Sequence, residues 1–209
     1  MTAPPAPGAA RARRPRKPAA ERRAEILAAA RRLFAERGFH ATTTRDLAAA
    51  ADINDALLYR YFANKEEILA GLLDQAVEVF RALPGPPAEA AELPLELLLQ
   101  FAGEGFLQAA RANLDLLTIM ISENRTLAGD TRFVEFIDQA AARLGELIEA
   151  QGAPVGTGYL TARSFFGSLI SFLLVQDVLG LDQVRQLDAT LYLQHTAALT
   201  AAAVPGRRG

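Results

Sequence analysis

Apolar residues recur at the i, i+3, i+4 spacing of helices along nearly the whole chain from Ala20 onward. No segment shows a sustained alternation of apolar and polar residues with period two, which is the pattern of strands. The sequence therefore predicts an all-α fold of about nine helices. Capping residues, glycines and prolines set the predicted bounds at 20–38, 44–51, 54–62, 64–82, 92–112, 114–126, 131–151, 157–180 and 182–204.

Proline-rich segments divide the chain. Residues 83–87 (Leu-Pro-Gly-Pro-Pro) cannot continue a helix, so we interpret them as a connector. This predicts a smaller N-terminal domain at 21–80 and a larger helical domain at 92–205. Residues 1–20 are rich in proline and arginine and lack apolar periodicity, which predicts a disordered basic arm.

Charge is distributed unevenly behind a net value of −2. Residues 1–70 contain 13 basic and 8 acidic side chains, whereas the remainder contains 9 basic and 16 acidic. A basic front on an acidic body indicates that the front meets a polyanion. Charge alone leaves open the alternative of an uneven solvated surface.

Composition and motifs argue against several classes of protein. The absence of cysteine excludes disulfides, thiolate metal sites and a cysteine nucleophile. The two histidines, His40 and His195, are far apart, and we find no phosphate loop, metal-ligand spacing or nucleophile motif. We therefore predict no enzyme activity, cofactor or metal. The apolar stretch 165–175 is too short to span a bilayer and 1–20 do not resemble a secretory signal, so we expect a cytoplasmic protein without a membrane partner.

The most informative segment is residues 43–62, which read TTRDLAAAADINDALLYRYF. Thr43 followed three residues later by Asp46 resembles a capping box, and Asn54 can cap the next helix. Two short helices joined by a tight turn at 51–53 are the sequence form of a helix-turn-helix.

Helical spacing separates the inward and outward side chains of the second short helix. Leu58 and Phe62, four residues apart, are predicted to face inward with Leu47 and Ile53. The side chains left facing outward or on the flanks are Ala56, Tyr59, Arg60, Asp55, Leu57 and Tyr61. Small residues permit close approach to a major groove, and the polar tips reach base edges and phosphates, so this helix suits DNA binding.

The stretch from Glu21 to Leu73, including ILAAARRLFAERGFHATTTRDLAAAADI, LLYRYF and NKEEIL, closely resembles the DNA-binding domain of TetR-family regulators. By this resemblance residues 56–61 lie in the recognition helix. The positions that match DNA-backbone contacts are Thr43, Arg45, Tyr59, Tyr61 and Lys65. Arg60 is the predicted base reader, because a guanidinium can donate two hydrogen bonds to a guanine edge.

Two positions depart from the family's common pattern. Ala56-Leu57 replace Gly-Thr or Pro-Thr, so one hydroxyl contact is missing and a thymine methyl contact is the predicted substitute. Asp55 either accepts a hydrogen bond from a cytosine amine or stabilises its helix through the dipole. The basic run at 11–17 either follows the DNA beside the site or is a solubilising tail.

The helices beyond Glu92 carry more apolar residues than one stripe requires. Each of these residues, taken singly, fits a hydrophobic core. The resemblance implies instead that the helices surround a cavity for a small apolar effector. The side chains predicted to line it are Gln100, Phe101, Glu104, Asn113, Met120 and Phe166, with Thr118 and Asn124 as further polar candidates.

Segment 157–180 is apolar almost all round and must be covered on both sides. The resemblance implies a homodimer built on a two-fold four-helix interface of the last two helices of each subunit. The predicted interface residues are Ser164, Ser168, Ser171, Val175, Leu187 and Leu191. Burial of these helices within one subunit is the alternative.

These features together predict a ligand-responsive regulator that a small apolar effector releases from a palindromic operator in double-stranded DNA. The two recognition helices are expected about one DNA turn apart, ~34–36 Å, with the helix at 64–82 tilting when the effector binds. Repression or activation depends on where the operator lies. A helical carrier with a vestigial DNA domain is the rival hypothesis, and the intact Tyr59 and Arg60 argue against it.

Overall fold

The computed structural model describes residues 18–83, 92–123, 125–127 and 129–205. Regular structure in these ranges is helical throughout, without a strand, so the all-α prediction is confirmed. The α-helices are α1 Ala19–Arg37, α2 Thr44–Ala50, α3 Asp55–Leu58, α4 Lys65–Arg81, α5 Leu95–Ala112, α6 Leu114–Ser122, α7 Arg132–Ala150, α8 Gly158–Leu173 and α9 Ala189–Ala202. Residues 1–17 of the predicted basic arm and residues 84–87 of the connector lie outside the described residues.

Helices α1 to α4 enclose the first of two hydrophobic cores. Its buried side chains come from all four helices and include Ile26, Leu33, Leu47, Leu58, Ile68 and Leu72. Leu116 and Ile119 of α6 also belong to this core. The N-terminal unit, which we call the front, is therefore completed by one helix from the rest of the chain.

The second core lies among α5, α7, α8, α9 and the end of α4. We call helices α5 to α9 the body. Leu98, Phe165 and Leu169 are among its most buried side chains. Helices α7 and α8 cross closely at two glycines, because a Cβ on Gly145 would lie 2.6 Å from the backbone nitrogen of Tyr159. A Cβ on Gly158 would likewise collide with the carbonyl group of Gly145.

The end of the chain differs from the single helix predicted at 182–204. Leu181–Gln183 forms one 3₁₀ turn, the next five residues are irregular, and α9 begins only after Asp188. Asp188 caps α9 by accepting a hydrogen bond from the Leu191 backbone at 2.8 Å. The side-chain oxygen of Gln176 accepts another from the Leu187 backbone at 3.2 Å, which holds the irregular segment in place.

Three other predicted bounds shift by a few residues. Helix α1 starts at Ala19, inside the predicted basic arm. Helix α5 starts at Leu95 rather than at 92, since Pro94 occupies its N-cap. Helix α6 ends at Ser122, four residues before the predicted end.

Helix α8 continues into one π-helical turn, Leu174–Val178. The combined segment Gly158–Val178 is, by length and composition alone, sufficient to cross a membrane. The apolar stretch 165–175 is only part of this longer helix, and a single helix that passes this test is weak evidence for a membrane span. The segment packs along α7 and α9, and the core helix of a soluble protein has the same length and composition.

Candidate nucleic-acid interface and ligand cavity

Helix α2 is fixed at its first residue by the predicted capping box. The Thr43 hydroxyl oxygen accepts a hydrogen bond from the Asp46 backbone at 3.2 Å, and the Thr43 backbone donates to the Asp46 carboxylate at 2.9 Å. Hydrogen bonds from the Thr43 hydroxyl and backbone lower the pKa of Asp46 below its ordinary value. The carboxylate therefore stays ionised at the helix N-terminus, where a negative charge is favourable.

A tight turn separates α2 from α3, as predicted. Asp52 adopts a left-handed backbone with φ of 53°, a conformation that aspartate tolerates better than most residues. The Asn54 side chain then accepts a hydrogen bond from the Leu57 backbone at 2.8 Å and caps α3. The start of each helix is therefore fixed by hydrogen bonds within a few residues.

Helix α3 is shorter than predicted and ends at Leu58 rather than at Tyr61 or Phe62. The next backbone bonds have i→i−3 spacing, with Arg60 donating to Leu57 at 3.2 Å and Tyr61 to Leu58 at 2.9 Å, before Phe62 donates to Leu58 at 3.1 Å. A guanidinium nitrogen of Arg23 donates to the Tyr61 carbonyl at 3.0 Å, which satisfies the freed acceptor. Tyr59, Arg60 and Tyr61 therefore lie on a turn that extends α3.

The predicted division between inward and outward side chains holds in the structure. Leu58 and Phe62 are buried, whereas Ala56, Tyr59 and Arg60 are exposed. The residues predicted for the flanks are all half-buried: Asp55, Leu57 and Tyr61. A polar and aromatic surface thus faces away from the first core.

Neighbouring side chains of α2 organise this surface. The hydroxyls of Thr44 and Tyr59 lie 3.3 Å apart, within hydrogen-bond distance. Arg45 forms an ion pair with Asp55 at 3.6 Å, which joins the N-terminal ends of α2 and α3. Asp55 thus has a partner that neither interpretation of its role anticipated.

Lys65 combines an internal role with its place beside the same surface. Its ammonium donates to the carbonyls of Phe39 at 2.7 Å and Thr42 at 3.0 Å, and it lies 4.1 Å from the centre of the Phe39 ring. Lysine has three N–H donors, so one remains for an outside acceptor. Arg23 makes similar internal contacts, since its guanidinium lies 4.1 Å from the centre of the Phe62 ring. No sequence pattern predicts the contacts of Lys65 or of Arg23.

A cavity of about 990 Å³ opens among α4, α5, α6, α7 and α8. Its wall is mostly apolar and includes a chain of aromatic rings, in which Phe106 is stacked on Phe80 at 5.6 Å and lies 5.5 Å from Phe166. Phe136 lies 6.0 Å from Phe80 on the other side. Such a cavity suits a ligand with a large apolar part.

Four of the six predicted cavity residues line this space: Phe101, Glu104, Met120 and Phe166. Gln100 and Asn113 do not line it, because their side chains bond to Glu96 and to the Ala109 carbonyl of their own helix. The polar groups that the sequence analysis missed are Arg81, Gln108, Gln139 and Arg143. Thr118 bonds to the Leu114 carbonyl, and Asn124 lies outside the described residues.

None of the predicted interface residues is buried, and they lie on α8, on its π-helical turn, and on or just before α9. Ser164, Ser171, Leu187 and Leu191 are exposed, and Ser168 and Val175 are half-buried. Large apolar side chains are exposed on the same two helices, with Leu160 at 62%, Leu191 at 66% and Leu199 at 60%. Exposed apolar residues of this size on long helices are typical of a surface that a partner covers.

Ion pairs join the front to the body. The Arg31 guanidinium of α1 holds Asp115 of α6 through two hydrogen bonds of 2.5 Å. Arg132, at the start of α7, pairs with Asp74 of α4. Helix α6 itself has one side in the first core and another on the cavity, where Leu117 and Met120 lie.

Comparison with known proteins matches this architecture. Residues 26–72 match the model of the bacterial regulatory proteins, tetR family. The HTH-type transcriptional repressor KstR2 of Mycobacterium tuberculosis is 32% identical over 142 residues, 66% of this chain and 68% of that protein.

Solved structures show the same fold. A TetR-like transcriptional regulator from Rhodococcus sp. RHA1 superposes with a TM-score of 0.65 at 23% identity, over 90% of this chain and all of that one. AibR, solved in complex with isovaleryl coenzyme A and operator DNA, gives a TM-score of 0.59 at 22% identity, over 85% of this chain and 97% of that one. Since the match to the repressor KstR2 spans two thirds of both proteins, the chain belongs to the TetR family of bacterial transcriptional regulators.

Proposed function

We propose that this protein is a cytoplasmic, homodimeric, ligand-responsive repressor that binds a palindromic operator and leaves it when a small apolar molecule enters the cavity. The observation that carries the proposal is the outer surface of α3. Tyr59 is 51% exposed and Arg60 is exposed, while Leu58, on the inner side of α3, is fully buried in the first core. A rigidly held short helix with a polar outer side fits a major groove.

Each side chain of this surface has a proposed role. Arg60 reads a guanine edge, and Leu57 and Ala56 approach the base edges, with Leu57 on a thymine methyl. The hydroxyls of Tyr59 and Tyr61 bind phosphates. Thr43, predicted for the same role, donates both its hydroxyl and its backbone N–H to Asp46, so it positions the start of α2 instead. Lys65 offers its third N–H to a phosphate of the DNA backbone. Before DNA binds, Asp55 keeps Arg45 in position, and Arg45 exchanges Asp55 for a phosphate when DNA binds.

Substitution of Arg60 tests DNA binding. We expect Arg60→Ala to weaken binding to the DNA upstream of the protein's own gene by roughly 10- to 100-fold, because one bidentate base contact is lost. The matched control is Arg32→Ala, which removes an exposed charge from α1. Fluorescence anisotropy with operator and random duplexes makes the measurement. Equal operator affinity of the Arg60→Ala variant and the unaltered protein would refute the role of α3.

The dimer is supported by the exposed side of α8 and α9. Gly167 has no neighbouring atom within 4 Å of its Cβ position, and Ser164 is exposed one turn earlier, so a second helix can approach there. The charged substitution Leu191→Asp is expected to give monomers and to lower affinity for the palindrome by roughly 100-fold or more, since bivalent binding is lost. Leu97→Asp, at a 49% exposed leucine of α5, is the control that should remain dimeric.

Light scattering after size exclusion measures the mass of both variants. A dimeric Leu191→Asp protein with full operator affinity would place the interface elsewhere. A monomeric unaltered protein that binds single half-sites would remove the dimer from the proposal.

Release by the effector is supported by two helices that belong to both parts. Helix α4 places Ile68 and Leu72 in the first core and Phe80 on the cavity, and α6 is shared in the same way. A ligand that displaces either helix changes the spacing of the two recognition surfaces. Linkage then requires operator and effector to weaken each other's binding by the same factor. Calorimetry of a co-purified effector, with and without operator, tests this coupling, and equal affinities would disprove it.

A further inference from the structure

We infer that the effector carries one anionic end on an apolar body and that Arg143 binds the anionic end. This rests on the proposed function in taking the cavity as the effector site. Three ionisable side chains line the described wall of the cavity, and two of them are cations: Arg81, Glu104 and Arg143. The excess of cations is local, because residues 71–209 contain 9 basic and 16 acidic side chains.

The two arginines differ in their partners. Arg81 donates a hydrogen bond of 2.9 Å to Glu78 on the preceding turn of α4. Arg143 has no ion pair or hydrogen bond with any residue that the structure describes. A free guanidinium offers five N–H donors in a planar fork that matches carboxylate or phosphate oxygens. Arg143 is therefore the cation that a ligand can engage without breaking an internal pair.

The neighbours of Arg143 on α7 favour the same ligand. Gln139 is four residues earlier, so its side chain lies on the same side of the helix, and it also lines the cavity. Its amide adds neutral N–H donors beside the guanidinium. Phe136 and Leu144 provide apolar wall on either side of these two polar groups. The polar donors are thus few and grouped, as expected for one charged end of an otherwise apolar molecule.

Glu104 supports the competing hypothesis of a cationic ligand. It is exposed, lines the cavity from α5, and aromatic rings such as Phe106 also attract cations. For an anionic ligand, Glu104 instead disfavours the reverse orientation, in which the charged end lies at α5. Removal of the charge at Arg143 and at Glu104 should therefore have opposite consequences.

The test uses the full-length protein and four probes that share one decyl chain: decanoate, decyl phosphate, decylamine and decan-1-ol. Isothermal titration calorimetry without DNA measures their affinities. At least one anion should bind roughly tenfold more tightly than decan-1-ol, because charge-assisted hydrogen bonds are among the stronger ones. A comparison of decanoate with decyl phosphate tells which anion the cavity prefers.

Matched neutral substitutions assign the charge to its residue. Arg143→Gln should remove the roughly tenfold preference for the anion and leave decan-1-ol affinity unchanged. Glu104→Gln should leave anion affinity equal or higher. Circular dichroism checks that both variants are folded, which is expected because both side chains are exposed.

Four outcomes would overturn the inference: no preference for an anion, an anion preference that Arg143→Gln retains, tightest binding of decylamine with loss in Glu104→Gln, or no binding of any probe. These results are independent of DNA binding. Operator binding without anion selectivity would remove the inference and leave the proposed regulator intact. Anion binding through Arg143 by a protein that does not bind operator would support the inference and remove the proposed regulator.

Discussion

The front and the body differ in how completely their helix ends are capped and their apolar surfaces are covered. In the front, α2, α3 and α4 begin at Thr43, Asn54 and Asn64, each of which accepts a backbone N–H. In the body, α5 to α8 begin without such a side-chain cap. The exceptions are α1 of the front, which has none, and α9 of the body, which Asp188 caps. The body also leaves a cavity of about 990 Å³ and several exposed leucines on α8 and α9. The front, with α6 completing its core, thus has a filled interior, whereas the body has surfaces left for the proposed ligand and the proposed second subunit.

Helix α6 allows the packed core of the front to be compared with the cavity of the body at two neighbouring residues. Leu116 lies in the first core and is 1% exposed, whereas its neighbour Leu117 lines the cavity. We expect Leu116→Ala to lower the free energy of unfolding by about 2–5 kcal/mol, since it leaves a hole in a packed core. Leu117→Ala enlarges an existing cavity and should cost less. Urea unfolding compares the two variants.

The same pair of variants separates the two functions. Leu116→Ala should also weaken operator binding at temperatures near its unfolding midpoint, whereas Leu117→Ala should change effector affinity and leave operator binding intact. Equal losses of stability would mean that α6 is not divided between front and body. That result would also remove the physical basis for coupling through this helix.

The sequence predicted the front well because short-range signals determine it. The Thr43–Asp46 box, the Asn54 cap and the spacing of Leu58 and Phe62 are all visible within a few residues. The predicted end of α3 was wrong because it depends on a contact that is distant in sequence. Its last turn is held by Arg23, which is 38 positions away in sequence and carries no pattern that announces the contact.

The body was predicted less well because apolar spacing does not say what covers each side of a helix. Phe101 and Phe166 do line the cavity, but Gln100 does not, and one residue of offset along α5 decides the difference. Arg143 was missed because a charged residue in a helical pattern usually indicates a solvated side. The break before α9 was missed because it depends on a bond from Leu187 to the distant Gln176.

Two glycines of the body sharpen the comparison, since both lie within helices. Gly145→Ala places its Cβ 2.6 Å from the backbone of Tyr159, which cannot move without separating α7 from α8. We expect a loss of about 1–3 kcal/mol. Gly105→Ala is the matched control, because no atom lies within 4 Å of its Cβ position and alanine favours the helix by up to ~1 kcal/mol. Thermal unfolding that ranks the two variants in the opposite order would contradict this crossing.

The smallest predicted effect concerns the ion pair between front and body. Hydrogen bonds from Arg31 are the main reason why the pKa of Asp115 is lowered below its ordinary value. A lowered pKa means that the pair stabilises the fold above the unfolded-state pKa of about 3.9, and that this contribution is lost as the pH falls through the folded-state pKa. Both side chains are about one-third exposed, so solvent screening limits the effect to about 1 kcal/mol or less.

Asp115→Asn should therefore be less stable than the unaltered protein at neutral pH, and the two should converge as the pH falls below the unfolded-state pKa of about 3.9 and through the lowered folded-state pKa. Glu78→Gln is the control, because its pair with Arg81 lies within α4 alone and does not join the two parts. Urea midpoints measured over this pH range make the comparison. A deficit of the same size at acid and neutral pH would mean that Asp115 acts through packing rather than charge, and the front and body would then be joined chiefly by the apolar side of α6.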